Sequence, residues 1–310
     1  MSEIAIERGA ERSTERGSGL GRWLRNPWRR PVFLAGFTWA YLAWSILPVL
    51  IAILFSFNAG RSRSVWQGFS MRWWTGDPND ALFHDPALRQ AIVQSLRLSF
   101  ITMIIAVPLG TMFAIALDRW HGRPAKTANF GMLFSFVMPE IILGVSLYLL
   151  FTNLFKGFVH LGTGAQLLGL ITFQLSYPVI IVRARLLTIG PEYEEAAMDL
   201  GATPGQALWR ALLPLLFPAI FASFAITFAD TIDDFVTVNY LASTAASQPL
   251  SVKIYSAARG SPTPAVNAAA TFMLISTMMA IGVGFLIYRV FSRGQRSGEA
   301  GAGVTDFVNA

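Results

Sequence analysis

The chain has 310 residues, of which 54% are hydrophobic and only 14% are charged, and its formal net charge at pH 7 is +6. Soluble domains carry about 25% charged residues, so this composition excludes a soluble domain and indicates a membrane protein. The basic residues lie at the ends of apolar runs and form no interleaved aromatic surface, which argues against nucleic acid as a partner. The sequence has no cysteine, and its three histidines are dispersed, so it predicts neither thiolate chemistry nor a metal site.

Six apolar stretches are each long enough for a membrane-spanning helix, which needs about 20 mostly apolar residues. Their approximate limits are 32–57, 92–117, 129–155, 166–187, 215–241 and 265–291. Residues 1–30 are polar and predict a flexible tail, with residues 293–310 as a second tail. The sequence therefore predicts an all-α integral membrane protein with one transmembrane domain over residues 31–292.

The distribution of arginine and lysine predicts the orientation of these spans. Basic clusters around Arg29, Arg123, Arg210 and Arg293 all fall on one side of the six-span arrangement. The positive-inside rule makes that side cytoplasmic, although a few basic residues also occur in the opposite loops. Both termini and the loop between the fourth and fifth spans are thus predicted to be cytoplasmic, with membrane lipid around the spans.

The first outer loop, residues 58–91, contains the aromatic residues Trp66, Phe69, Trp73 and Trp74. Aromatic side chains near a span usually anchor it in the headgroup region, and that is the favoured interpretation. A docking surface for a partner is the alternative.

Glu140 follows Pro139 inside the third predicted span. Proline leaves one backbone carbonyl without its donor, and a carboxylate beside it either lies on the substrate path or holds a bend. In the fourth span Gln174, Tyr177 and Pro178 are weaker candidates, because polar residues there usually form hydrogen bonds between helices.

The loop over residues 189–214 has the pattern of two short capped helices. Pro191 and the three glutamates that follow predict a helix start, and Gly201 predicts its end. Thr203, Pro204 and Gln206 predict a second helix with a capping box, which we expect Pro214 to break.

Three functions remain open for this loop: a plain connection, a helix at the membrane surface and a docking site. Ala196, Ala197 and Gly201 leave one side of the corner narrow, which favours close approach of another protein. A surface helix would instead need large apolar residues on one face and lysines on the other.

Asp230, Asp233 and Asp234 lie inside the fifth predicted span. Each costs roughly 2.5 to 3.5 kcal/mol at the centre of a spanning helix, so each needs a reason to be there. On a continuous helix the three would share one face with Thr237, forming a row of carboxylates suited to an organic polycation whose methylenes lie along Phe235 or Tyr240. The alternative is internal pairing, for example of one carboxylate with Arg97 of the second span.

The stretch EAAMDLGATPGQALWRALLP resembles the Glu-Ala-Ala loop of ABC-importer permeases, in which Gly follows after three residues and a Leu-Pro pair closes the motif. The positions that match are Glu195, Ala196, Ala197, Gly201, Leu213 and Pro214, with Asp199 inside the motif. Ala211 departs from the isoleucine that the family prefers. The stretches MPEIILGVSLYLLF and DTIDDFVTVNYLAS, with other parts of the core, are similar to the second permease subunit of spermidine/putrescine importers.

This resemblance implies the type I ABC importer permease fold, with the loop as a cytoplasmic coupling helix between the fourth and fifth spans. It implies an ATP-binding subunit dimer, a second homologous permease subunit and an extracytoplasmic substrate-binding protein as partners, in a bacterial inner membrane. The chain has no phosphate-binding loop of the form G-x-x-x-x-G-K-[ST], so we expect it to bind no cofactor and to be no enzyme, with ATP and Mg on the partner ATPase.

A polyamine is the favoured cargo, and an opine, an amino-acid derivative or ferric ion is the alternative within the same class. A channel or secondary transporter is a different class and would show inverted repeats, which this sequence lacks. An intramembrane enzyme would need a nucleophile and a base, or a metal set, within the spans.

Overall fold

The computed structural model describes residues 32–62, 65–120, 122–260 and 263–299. Within these ranges nearly all regular structure is helical, and the extended pairing is a single antiparallel bridge between Asn58 and Phe69. The predicted tail over residues 1–30 lies outside the described residues, as do residues 300–310 of the second tail.

The α-helices of the described part are α1 (Val32–Ser56), α2 (Pro86–Arg119), α3 (Arg123–Val137), α4 (Glu140–Leu149), α5 (Thr163–Gln174), α6 (Ser176–Ile189), α7 (Glu192–Asp199), α8 (Pro204–Ala207), α9 (Leu213–Asp233), α10 (Val236–Leu241), α11 (Leu250–Arg259) and α12 (Pro264–Glu299). Short π-helical turns occur at Arg72–Gly76, Leu150–Leu154 and Leu208–Leu212, and a 3-10 turn occurs at Ala245–Ser247.

Five helical stretches in the described part are long and apolar enough to cross a membrane. They are Phe33–Ser56, Pro86–Arg119, Thr163–Ile189, Pro204–Asp233 and Pro264–Leu286. A bent pair of helices between the second and third of these makes a sixth crossing if it counts as one span. The prediction of a helical protein with several membrane spans is confirmed.

The third predicted span consists of two helices with a sharp bend at Pro139. α3 ends at Val137, and the next helical segment starts at Glu140. The two helical segments are bent by 105° relative to each other. Pro139 cannot donate a backbone hydrogen bond, and proline disfavours the helical conformation of the residue before it. Met138 accordingly has an extended backbone, with φ −62° and ψ 131°, and the bend places Glu140 in the first turn of α4.

The fifth span also differs from the prediction at both ends. Pro214 does not break the helix; it lies in the first turn of α9, where its missing N–H is not needed. The π-helical turn before it lets the Leu213 N–H donate to the Leu208 carbonyl, so helical structure continues from Pro204 to Asp233. At the other end α9 stops at Asp233, because Asp234 is extended with ψ 125°, and α10 begins a new short helix.

The chain divides into a compact unit up to Ile51 and another from Ala52 onward. The first unit contains most of α1, whose large apolar side chains, such as Phe37 and Trp44, are exposed as expected for a lipid-facing helix. In the second unit α2, α6 and α9 pack against one another around a buried apolar cluster that includes Ala114, Val179 and Leu216.

The loop after α1 folds against the start of α12, where Trp73 is buried in one apolar cluster with Ala265 and Ala268. Trp73 is fully buried, and its indole N–H donates to the Asn58 carbonyl over 2.7 Å. The ring of Phe57 stacks between those of Phe69 and Trp74, at 5.4 and 5.5 Å between centroids. Trp73 therefore holds the loop together, and the headgroup-anchor interpretation does not apply to it.

Candidate functional site

Asp230 lies in the last turn of α9 and is half-buried. The Gln174 side chain donates from Nε2 to Asp230 Oδ2 over 2.7 Å, and the Tyr177 hydroxyl lies 3.3 Å from Oδ1 and donates to it. Two of the three weaker candidates of the fourth span, Gln174 and Tyr177, are thus its direct partners. Arg97 is exposed, and within the described chain it forms no ion pair with any of the three aspartates.

The three aspartates do not share one helical face, so that part of the prediction is wrong. Asp233 is exposed at the end of α9, whereas Asp234 is buried just beyond it. Asp234 Oδ1 accepts from the Val238 N–H over 3.2 Å, and the Asp234 carbonyl accepts from the Ser251 hydroxyl over 2.7 Å. The break after Asp233 sets Asp234 apart from the other two, because Asp230 and Asp233 lie on α9 and Asp234 lies just beyond its end.

The remaining predicted residues lie around this break. Thr237 is buried and Tyr240 partly exposed on α10, whose neighbour α4 begins with the exposed Glu140. Gly144 of α4 allows the close approach, since a Cβ there would lie 3.0 Å from Cδ2 of Tyr240.

We call Glu140, Asp230, Asp233 and Asp234 the acidic cluster: α4, which begins with Glu140, packs against α10, and the three aspartates lie in the last turn of α9 and just beyond it, before α10 begins. Ion pairs between described residues join other groups, and none includes a member of the acidic cluster.

A buried glutamine pair, which the sequence patterns did not predict, holds α10 in place. Gln166 of α5 is fully buried and donates from Nε2 to the carbonyls of Val238 and Ser247, each over 2.9 Å. Gln94 of α2 in turn donates to Gln166 Oε1 over 3.0 Å. Because polar residues in spans usually bond between helices, two glutamines in apolar stretches were the available signal.

The predicted loop over residues 189–214 folds as the two capped helices expected from its sequence. Gly190 and Gly201 have positive φ values of 73° and 90°, which turn the chain before and after α7. Thr203 caps α8 by accepting from the Gln206 N–H, and the Gln206 side chain accepts from the Thr203 N–H, forming the predicted capping box.

The loop presents an open surface. α7 has no buried side chain, and Glu195, Ala196, Asp199 and Gly201 are all exposed. Ala197 is half-buried, as are Leu213 and Pro214, which join the loop to α9.

Three large apolar side chains in the same loop are exposed. The exposed fractions are 91% for Leu200, 72% for Trp209 and 56% for Tyr193. Glu194 forms an ion pair with Arg119 at the end of α2, which attaches α7 to that helix.

Comparison with known proteins identifies the family. The model of the binding-protein-dependent transport system inner membrane component matches residues 106–297. The putrescine transport system permease protein PotI of Escherichia coli (strain K12) is 32% identical over 279 residues, which cover 88% of this chain and 94% of that protein.

A second relative is the spermidine/putrescine transport system permease protein PotC of Escherichia coli (strain K12). It is 34% identical over 276 residues, covering 89% of this chain and 97% of that protein.

The fold is also that of a solved transporter chain. A chain of a bacterial ABC transporter involved in the import of the acidic polysaccharide alginate has a TM-score of 0.67 at 16% identity, covering 83% of this chain and 95% of that chain. With its spans, its broken fifth helix and its two-helix loop, the chain belongs to the family of binding-protein-dependent transport system inner membrane components, the permeases of ABC importers.

Proposed function

We propose that this permease carries polyamines such as spermidine or putrescine across the inner membrane. The observation that carries the proposal is the acidic cluster, whose four carboxylates have no cationic side chain paired with them in the described chain. Ionisable groups in membrane spans are stabilised by pairing, so a cationic cargo supplies what the cluster lacks. The names of PotI and PotC point to the same class of cargo.

The shape of a polyamine matches the surroundings of the cluster. Ammonium groups form charge-assisted hydrogen bonds with carboxylates, and the methylene chain between them can lie on an apolar surface. Phe235, directly before α10, and the partly exposed Tyr240 on α10 offer that surface. An anionic cargo would add to the repulsion among Glu140 and the three aspartates.

The loop over residues 189–214 is, in this proposal, the cytoplasmic coupling element. Its exposed face, formed by Glu195, Gly201 and Leu200 among others, seats on an ATP-binding subunit, which holds ATP and Mg. Movement of the ATP-binding subunit is transmitted to the spans through Leu213 and Pro214. These are the first residues of α9, and Asp230 lies in the last turn of the same helix. A second permease subunit and an extracytoplasmic substrate-binding protein complete the importer, both chain termini lie in the cytoplasm, and this chain itself is no enzyme and binds no cofactor.

The cargo proposal is tested by neutralising the two exposed members of the cluster. Glu140→Gln with Asp233→Asn removes two charges and leaves the internal hydrogen bonds of Asp230 and Asp234 intact. In the complete complex in nanodiscs, we expect polyamine-stimulated ATPase activity and uptake to fall at least about tenfold, the effect of about 1.4 kcal/mol. Asp118→Asn, on an exposed acid at the end of α2, is the matched control. A double variant that responds like the wild type would refute the proposal.

The coupling proposal is tested with two alanine substitutions in the same loop. Gly201 and Gly205 both have open space where a Cβ would lie, but only Gly201 of the two has a positive φ. An L-residue in that conformation costs roughly 1–2 kcal/mol, so Gly201→Ala should shift the corner and Gly205→Ala should not. We expect Gly201→Ala, and more strongly Gly201→Val, to lower the uptake per ATP hydrolysed. Normal coupling in both Gly201 variants would show that the corner is not the coupling element.

A further inference from the structure

The structure assigns a binding subsite for one ammonium group of the cargo to Gln174, Asp230 and Tyr177, where α5 gives way to α6 beside the end of α9. This subsite rests on the proposed function and adds to it the residues that recognise a single charge. Its members come from two consecutive helices and a third that crosses them.

The orientation of the Gln174 amide follows from its neighbour. A carboxylate has only acceptors, so the group facing Asp230 Oδ2 at 2.7 Å must be the NH₂ of Gln174. The carbonyl Oε1 of the same amide is then left without this partner.

That Oε1 atom is a buried acceptor with no donor in the described chain. Gln174 as a whole is fully buried, and a buried acceptor without a partner costs about 1–3 kcal/mol. An ammonium group carries several N–H donors, so it can bond Asp230 and Gln174 Oε1 together, which a hydroxyl or a single-donor group cannot.

Aromatic rings complete the surroundings of this pair. The Tyr177 ring meets those of Phe136 and Phe173 edge-on, at 5.6 and 6.1 Å between centroids. Aromatic faces attract cations, so the rings favour an ammonium group over a neutral one. Tyr177 is only half-buried and Phe136 is exposed, so we expect Tyr177 to be the side chain that moves when the ammonium group arrives.

The test uses the complete complex with saturating, cargo-loaded binding protein, and also direct binding of labelled spermidine to the complex without binding protein. Gln174→Met keeps the length of the side chain and removes both its donor and its acceptor. Tyr177→Phe keeps the ring and removes only the hydroxyl bond to Asp230. Thr172→Val, on the exposed side of α5, is the matched control.

A hydrogen bond to a charged group contributes about 1.5–3 kcal/mol, which corresponds to roughly 10-fold to 100-fold in affinity. We therefore expect Gln174→Met to weaken spermidine binding at least about tenfold, and Tyr177→Phe to weaken it several-fold, with both variants remaining monodisperse. Unchanged binding in both variants would overturn the subsite while leaving the polyamine proposal in place. If the wild-type complex itself neither binds nor transports polyamines, the proposed function fails, and the subsite fails with it.

Discussion

Replacing Gln166 by leucine tests whether the glutamine pair positions α10. The side chain is fully buried and makes three hydrogen bonds, donating to Val238 and Ser247 and accepting from Gln94. Leucine is similar in size, so the change removes the bonds without opening a large cavity.

The expected loss of stability follows from the groups that are left behind. The carbonyls of Val238 and Ser247 lose the donor that Gln166 supplied, and an unsatisfied buried group costs about 1–3 kcal/mol. Hydrogen bonds between helices in membranes average about 0.6 kcal/mol, which sets the lower limit. For two carbonyls we therefore expect a loss of about 1–6 kcal/mol.

The assay is the melting temperature of the purified complex, combined with uptake of labelled polyamine at a temperature where the variant stays folded. Gln166→Leu should lower both, because α10 carries Thr237 and follows directly on Asp234. Gln90→Leu, on an exposed position one turn before Gln94 in α2, is the control and should change neither. A Gln166→Leu variant that melts and transports like the wild type would refute the positioning role.

Two further predictions concern stability. Gly110→Ala should lower the melting temperature of the complex by the equivalent of about 1–3 kcal/mol, because the added Cβ would lie 2.5 Å from Pro178 Cγ. Gly131→Ala is the control, because a Cβ at Gly131 would lie in open space. If the two variants melted at the same temperature, the close packing of Gly110 on Pro178 would be contradicted. In the outer loop, N–H bonds from Asp80 and Asn79, with the Arg72 guanidinium, lower the pKa of Asp77 from 3.8 to about 2. A lowered folded-state pKa stabilises the loop fully above pH 3.8, and this contribution should disappear as the pH falls through about 2. Tryptophan fluorescence should report that transition, and an Asp77→Asn variant that keeps the same acid response would contradict it.

Local sequence patterns predicted the features that depend on near neighbours. The positive φ of Gly201 and the capping box of Thr203 and Gln206 need only a few consecutive residues, so the two-helix loop is as predicted. The number and approximate position of the spans follow from apolar length, which the bilayer thickness sets. The matches to the family model and to PotI confirm the family that was predicted from the spacing of Glu195, Ala196, Ala197 and Gly201.

Prolines and carboxylates were harder to interpret, because their effect depends on the backbone around them. Pro139 bends its span by 105°, whereas Pro214 is accommodated by the π-helical turn in front of it. The break after Asp233 could not be inferred from helical periodicity, which assumes a continuous helix.

The sequence by itself determined a multi-span helical permease with a loop of two short helices, because hydrophobicity and helix capping act over short distances along the chain. Only the tertiary structure decided which groups meet. Asp230 takes its partners from Gln174 and Tyr177, and α10 is held by Gln166, and each of these bonds joins residues more than fifty positions apart. Such pairings depend on how helices cross, and the order of residues along one helix does not record that crossing.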